Sequence, residues 1–148
     1  MAQAENSKLV QDLYDAFAQG NVQYLLEHVT EDVEWVDEGP ESIPYAGRYR
    51  GRAEVKRFFE QLGGSIQGGK VTAQEFIAAE DQVVALGRFT GTVMATGNKI
   101  DTAIAHVFTI RGGKVSRWLG YGDTARVAEA YSRAGGSAFG SSSSGKRA

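Results

Sequence analysis

Two short stretches decide the fold: Leu9-Val10-Gln11-Asp12-Leu13-Tyr14-Asp15-Ala16-Phe17-Ala18-Gln19-Gly20-Asn21, and Asp32-Val33-Glu34-Trp35-Val36-Asp37. The first stretch carries apolar side chains at helical spacing and stops at Gly20, a residue type that readily ends a helix. Asn21 is a good N-cap for a second helix. The second stretch alternates, so Val33, Trp35 and Asp37 share one face of a predicted strand. The predicted order is helix, helix, and then a strand with an acid on its inner face.

The rest of the chain predicts a third helix, a run of strands and a final helix. A tyrosine-rich loop over residues 43–50 precedes a helix after Gly51, and the glycine pairs at 63–64 and 68–69 are expected to break the chain. Four strands are predicted over 71–80, 82–95, 99–111 and 114–122, separated by turn signals at hairpin distance. The last helix should run from Asp123 or Thr124 to about Arg133. Helices followed by an antiparallel meander are an α+β order.

Composition excludes several classes of site. The chain has 148 residues, no cysteine and a net charge of −2. Disulfides and thiolate sites are therefore absent, and the charge argues against nucleic acid as a partner. No apolar run approaches the ~20 residues of a membrane span, and no signal-peptide pattern opens the chain, so we expect a cytoplasmic protein that does not bind membranes. We expect one domain over 1–134 and a disordered Gly/Ser-rich tail over 135–148.

Six phrases, taken in order, resemble the nuclear transport factor 2-like superfamily in its branch of SnoaL-like polyketide cyclases and ketosteroid isomerases. The phrases are Tyr14 to Asn21, Tyr45 to Gly51, Phe58-Phe59, Ala105 to Ile110, Gly113 to Val115, and Tyr121 to Thr124. The resemblance implies a cone-shaped fold in which a curved antiparallel sheet wraps around helices and encloses a deep apolar pocket. It also implies a homodimer that pairs through the outer face of the sheet.

Asp37 is the first candidate catalytic residue. Strand alternation places it on the same face as Val33 and Trp35, inside the fold if they are inside. A carboxylate in an apolar pocket has a raised pKa, which suits a general base. The resemblance adds that ketosteroid isomerases place their base five residues after a position matched here by Asp32. The alternative is that Asp37 is one of several solvated acids between residues 31 and 41.

His106 is the second candidate, in the middle of a predicted strand. It shares a face with Ile104 and Phe108, and because this face carries the bulkier side chains we expect it to point to the core. An imidazole there could act as an acid, as a base or as a hydrogen-bond donor to a substrate oxygen. The isomerases carry an aspartate on this strand, and either His106 or Ala105 matches its place. The alternative is a core histidine satisfied by a neighbouring group.

Asp123 is the third candidate. The polyketide cyclases, which this chain resembles, use an aspartate near the end of the last strand during aldol closure. The competing interpretation is structural, because aspartate is a preferred N-cap and Asp123 directly precedes the last predicted helix.

The sequence thus favours a cofactor-free, metal-free enzyme that acts by general acid/base catalysis, as an isomerase or an aldol-type cyclase, on a small apolar carbonyl compound. Asp37 would be the base, His106 the polarising group and Asp123 a second acid/base. The aromatic residues expected to bind substrate are Tyr14, Trp35, Phe58 and Phe108. The alternative is a protein that binds a hydrophobic small molecule without catalysis, or a dimerisation module. Epoxide hydrolysis is less favoured, because no arginine of these strands stands two residues before a strand aspartate.

Overall fold

Four helices and six strands make up the structure, a computed structural model that describes residues 2–132. The elements are α1 (Ala2–Ala18), α2 (Val22–Glu27), β1 (Val29–Asp37), β2 (Gly47–Arg50), α3 (Gly51–Ser65), β3 (Ile66–Ala79), β4 (Gln82–Val93), β5 (Lys99–Arg111), β6 (Lys114–Gly122) and α4 (Thr124–Ser132). The N-terminal helices pack against a curved, open sheet, which confirms the predicted α+β fold. The expected tail over 135–148 lies outside the described residues.

The six strands form one sheet in the order β2-β1-β6-β5-β4-β3. Strands β3 to β6 are the predicted antiparallel meander, but β1 runs parallel to β6 and makes the sheet mixed. The parallel pair is possible because β2, α3 and the first three strands of the meander lie between β1 and β6 in the chain, and a parallel pair needs a long crossover. The tyrosine-rich segment predicted as a loop instead ends in β2, which pairs with β1.

The turn between α1 and α2 follows the sequence prediction. Gly20 has a φ of +73°, the left-handed conformation that glycine adopts without steric cost. The Asn21 N–H donates to the Ala16 carbonyl and the Gly20 N–H to the Phe17 carbonyl, the two bonds of a Schellman motif. The Asn21 side chain then accepts from the Tyr24 N–H and caps α2. These bonds satisfy backbone groups at both helix ends.

Neither glycine pair breaks the chain, contrary to the sequence prediction. Gly63 and Gly64 continue α3 through its last turn, because the burial of Phe58 and Leu62 outweighs about 1 kcal/mol of lost helix propensity per glycine. The second pair lies inside β3, where a bulge shifts the register against β4 between Gln67 and Lys70. Strand interiors commonly use glycine at such bulges.

The inner face of the sheet and the helices enclose an aromatic core. One row of residues crosses four strands, with Tyr49 opposite Trp35, Trp35 opposite Trp118, and Trp118 opposite Phe108. Phe58 of α3 packs against the first three of these rings at centroid distances of 5.3 to 5.9 Å. This row joins the parallel pair to the meander. Among residues 2–132, no helix has the length and apolarity needed to cross a membrane.

Replacing Gly63 with alanine should stabilise the protein. Gly63 is exposed, and a Cβ at this position would meet no atom within 4 Å. We therefore expect the free energy of unfolding to rise by about 0.5–1 kcal/mol, measured by urea denaturation. Gly120→Ala is the opposing control, because its Cβ would collide with the Trp118 ring and should lower stability by about 1–3 kcal/mol. A destabilised Gly63→Ala variant would contradict the assignment of Gly63 to the helix.

Candidate functional site

One row across three strands brings Asp37 and His106 to the same surface. Asp37 at the end of β1 lies opposite Gly120 of β6, and Gly120 lies opposite His106 of β5. Neighbouring strands lie about 4.8 Å apart, so the Cα atoms of Asp37 and His106 are roughly 10 Å apart. Because Gly120 has no side chain, the Trp118 ring lies over it and packs edge-on to His106.

A cavity of about 130 Å³ lies over this row. All seven side chains predicted from the sequence to form the site line its wall: Tyr14, Trp35, Asp37, Phe58, His106, Phe108 and Asp123. The wall is mostly apolar and aromatic. The volume of the cavity is close to the ~150 Å³ of a cavity that holds benzene. The catalytic and substrate-binding roles of these residues stay predictions, but their convergence is a fact of the fold.

Asp37 is a carboxyl group in apolar surroundings. Burial, with a smaller contribution from the neighbouring charge of Glu38, raises its pKa to about 7. Among residues 2–132, no cationic side chain lies within ion-pair distance of Asp37 to offset that burial. A carboxyl group with such a pKa exists in both protonation states near neutral pH, which is the property a general base needs.

His106 forms a hydrogen bond with Tyr14 that joins β5 to α1. The Tyr14 hydroxyl lies 2.7 Å from His106 Nδ1, and the two rings are nearly parallel. Burial lowers the pKa of His106 to about 3 and raises that of Tyr14, so both groups are neutral at pH 7. If Tyr14 donates to Nδ1, Nε2 carries the imidazole proton; if Nδ1 donates, the Tyr14 proton is free. In either tautomer the pair retains one further N–H or O–H donor.

Side chains alternate along β5, and His106, not Ala105, lies on the face that lines the cavity. His106 points to the cavity with Ile104 and Phe108, whereas Ala105 lies on the opposite face beside Tyr121. His106 is flanked in its row by Ala85 and Gly120, two of the smallest residues. Small neighbours leave room for the imidazole and the Tyr14 ring above it.

Asp123 is the N-cap of α4, the structural alternative weighed from the sequence. Its carbonyl accepts the first helical bond, from the Val127 N–H, and its carboxylate accepts from the Arg126 N–H at 3.1 Å. The Arg126 guanidinium lies 3.6 Å away. Asp123 is exposed and lies at the edge of the cavity, so its carboxylate is already occupied by the helix end.

Two residues of this site carried little signal in the sequence. The sequence predicts Gly120 only as part of a strand, yet it lies between Asp37 and His106 in their row and gives room to the Trp118 ring. A glycine inside a strand often marks close approach of another group, and this signal could have singled it out. Trp118 stacks on Trp35 with ring centroids 4.6 Å apart and packs edge-on to His106 at 4.8 Å. Its pairing across β1 and β6 depends on a parallel register that no local pattern shows.

The site offers no evident metal centre. Within residues 2–132, no three His, Asp or Glu side chains gather closely enough to hold a metal ion. What the described side chains supply is one carboxyl group of raised pKa, one neutral hydrogen-bond donor pair and an apolar wall. This arrangement suits proton transfer and hydrogen bonding to a small ligand.

Asp37→Asn should stabilise the protein at high pH and not at low pH. An unfolded Asp37 ionises near pH 4, whereas the native carboxyl group ionises near pH 7. The native state therefore loses stability as pH rises from about 4 to 7, and a shift of about three units corresponds to about 4 kcal/mol. We expect urea denaturation to show a gain of about 2–4 kcal/mol at pH 8 and almost none at pH 4.

Two features make this measurement specific. His106 titrates identically in both proteins, so its effect cancels in the difference between them. Asp32→Asn is the matched control on the same strand, because Asp32 is exposed and lies 2.7 Å from Arg111, which lowers its pKa. Asp32→Asn should be less stable than the wild type at pH 8, whereas Asp37→Asn should be more stable. Equal effects of Asp37→Asn at both pH values would contradict a buried carboxyl group.

Solved structures share this fold. An NTF2-like protein from Burkholderia xenovorans is 28% identical, with a TM-score of 0.77 over 87% of this chain and 97% of that chain. TerC, co-crystallised with polyporic acid, is 26% identical, with a TM-score of 0.78 over 86% and 98% of the two chains. A putative SnoaL-like polyketide cyclase from Jannaschia is 19% identical, with a TM-score of 0.76 over 88% and 93%, and shows the fold alone.

The family comparison agrees with the structural one. No curated protein matched the sequence. The family model of the SnoaL-like domain matches residues 10–118, a span that begins in α1 and ends in β6 and so includes Tyr14, Asp37 and His106. The chain has the NTF2-like fold and belongs to the SnoaL-like domain family.

Proposed function

We propose that this protein is a cofactor-free general acid/base enzyme, an isomerase or an aldol-type cyclase, acting on a small apolar carbonyl compound. The observation that carries the proposal is the row Asp37–Gly120–His106 on the wall of one apolar cavity. An acid/base enzyme needs at least two polar groups that reach one substrate, whereas a binding protein needs only one anchor. TerC, which is similar to this chain in sequence and fold, was co-crystallised with polyporic acid, which favours a small organic ligand.

The first step would be proton removal by Asp37. Its carboxylate takes a proton from the carbon next to the substrate carbonyl, and the C–H electron pair forms a C=C bond. The carbonyl π electrons move to oxygen, which becomes an enolate oxygen. The donor of the Tyr14–His106 pair stabilises this oxygen with a hydrogen bond. Because Tyr14 and His106 are both neutral, they stabilise the enolate oxygen by a hydrogen bond and not by a positive charge.

The second step decides between the two reactions. If the substrate carries a C=C bond conjugated with the enolate, Asp37 can return its proton to the far carbon of that system, and the result is an isomer with a shifted double bond. If the enolate carbon attacks a second carbonyl of the same molecule, the result is an aldol ring closure. Asp123 was expected to be a second acid/base, and its bond to the start of α4 favours a helix cap instead. Asp37 would then serve both proton transfers.

Asp37→Asn should strongly slow proton exchange at the α-carbon of a bound ketone. Exchange of cyclohexanone α-protons in deuterated water, followed by NMR, should fall about 10²- to 10⁴-fold, the usual contribution of a positioned general base. Asp32→Asn is the control: it lies on the same strand outside the cavity and should exchange at the wild-type rate. Unchanged exchange in Asp37→Asn would remove Asp37 as the base. Binding without exchange in the wild type would favour the non-catalytic alternative.

We also propose that the chain is a homodimer that pairs through the outer face of the sheet. Val84, Val107 and Leu119 form one row on that face, and all three are only partly covered. We expect light scattering at micromolar concentration to give twice the chain mass of 15.9 kDa, and Leu119→Glu to give a monomer by placing a charge in the contact. Val115→Ala, a change in the core, should leave the mass unchanged; a monomeric wild type would overturn the proposal.

A further inference from the structure

Tyr45 is a buried residue that is held firmly in the wall of the cavity. Only 6% of its surface is exposed. The Tyr49 hydroxyl donates to its carbonyl at 2.9 Å, which fixes the backbone between β1 and β2. Its ring packs edge-on to Phe58 and to Tyr131, with centroids 6.1 and 6.4 Å away. Neither the ring nor the backbone of Tyr45 can move without disturbing the core.

The Tyr45 hydroxyl has no hydrogen-bond partner among residues 2–132, unlike its neighbours. The Tyr49 hydroxyl also lies 2.9 Å from Gln61 Oε1, and the Tyr131 hydroxyl lies 2.7 Å from Ser65 Oγ. The hydroxyl is not sealed in the core either, because Trp35 Nε1 is the single sealed and unpartnered side-chain atom in that range. Because Tyr45 lines the cavity, a ligand bound there is the partner we assign to this hydroxyl. A buried tyrosine hydroxyl usually has a partner, which here a ligand can supply.

Tyr45 and Asp37 both line this cavity. The Asp37 charge acts on Tyr45 and adds to the effect of burial in raising the pKa of its hydroxyl. Tyr45 thus stays protonated at neutral pH, and its hydroxyl can donate a hydrogen bond to an incoming acceptor. Asp37 and Tyr45 form no hydrogen bond to one another, so each has capacity for a ligand between them.

We propose that the cavity takes α-hydroxy ketones, with Tyr45 donating a hydrogen bond to the hydroxyl oxygen of the substrate. This inference rests on the proposed function of Asp37 and His106. Three protein groups then match three neighbouring features of such a molecule. His106 with Tyr14 faces the carbonyl oxygen, Asp37 faces the C–H of the carbinol carbon, and Tyr45 faces the hydroxyl group on that carbon. A simple ketone fills the first two positions and leaves Tyr45 unpaired.

The reaction that follows is an isomerisation through an enediolate. Asp37 takes the proton from the carbinol carbon, the C–H electron pair forms the C=C bond, and the carbonyl oxygen receives the displaced π electrons. Asp37 returns the proton to the former carbonyl carbon. The hydroxyl proton moves to the other oxygen, so the carbonyl and hydroxyl groups exchange places. No oxidant, reductant or further reactant is needed, because the product is an isomer of the substrate.

The test compares two rings of the same size, cyclohexanone and 2-hydroxycyclohexanone. Both tryptophans of the chain line the cavity, so intrinsic fluorescence reports binding directly. We expect the wild type to bind the hydroxylated ring about 3- to 10-fold more tightly, the usual effect of one hydrogen bond. Tyr45→Phe should reduce this ratio to about one. Tyr131→Phe is the matched control, because its hydroxyl bonds to Ser65 and does not line the cavity, and it should keep the ratio.

Three outcomes would contradict the inference. A ratio near one in the wild type, a ratio retained in Tyr45→Phe, or failure of both rings to bind would each exclude Tyr45 as the hydroxyl contact. Thermal unfolding of both variants verifies that they are folded, and Tyr45→Phe loses no protein hydrogen bond of its side chain. The ratio is measured by binding alone, so it is independent of proton exchange. Tight, Tyr45-dependent binding without exchange would thus reject the enzyme and keep the hydroxyl contact.

Discussion

The parallel pairing of β1 with β6 is the interaction on which the rest of the structure depends. Its register sets Trp35 against Trp118 and Asp37 against Gly120. The first pair forms the aromatic floor of the cavity, and the second brings the carboxyl group within two strands of His106. A slip of one residue would turn Asp37 to the outer face, since side chains alternate along a strand. The stacked indole rings and the glycine opposite Asp37 therefore specify the position of the acid.

The polar groups of the cavity are costly for the fold in two different ways. Asp37 is destabilising when it ionises, because no cation among the described residues offsets its burial. His106 lowers stability in acid, because its imidazole binds a proton in the unfolded chain near pH 6.5 but stays neutral in the native cavity down to about pH 3. As pH falls from about 6.5 to 4, the loss from His106 opposes the gain from Asp37. Residues that cost stability in this way and share a cavity are typical of functional sites.

Local patterns predicted the parts of the fold that local interactions determine. The Gly20–Asn21 turn, the inner face of β5 and the boundaries of β6 follow from spacing and turn chemistry, and the α+β fold is confirmed. The parallel pair and β2 were missed, because each depends on contacts with distant segments. The glycines of α3 were misread for the same reason: burial of their helix outweighs their propensity.

The same distinction holds in the cavity. Side-chain alternation within β1 and within β5 was enough to predict that Asp37 and His106 point inward. The bond between Tyr14 and His106 joins residues 92 positions apart, and no spacing within either element could reveal it. The unpaired hydroxyl of Tyr45 is a property of the folded surroundings, since Tyr49 and Tyr131 in the same cluster do find partners. Which tyrosine remains open to a ligand is decided by packing.

The long crossover between β1 and β6 has a consequence for how the molecule assembles. Hairpins of the meander close short loops, whereas Asp37 meets Gly120 only after most of the intervening chain has been brought back, which costs more chain entropy. Pairings this distant in sequence slow folding. The half of the cavity that carries His106 can form within the meander, but the half that carries Asp37 must wait for β1 to dock. The acid and its opposing donor meet only in the fully assembled domain, so partly folded chains carry no competent site.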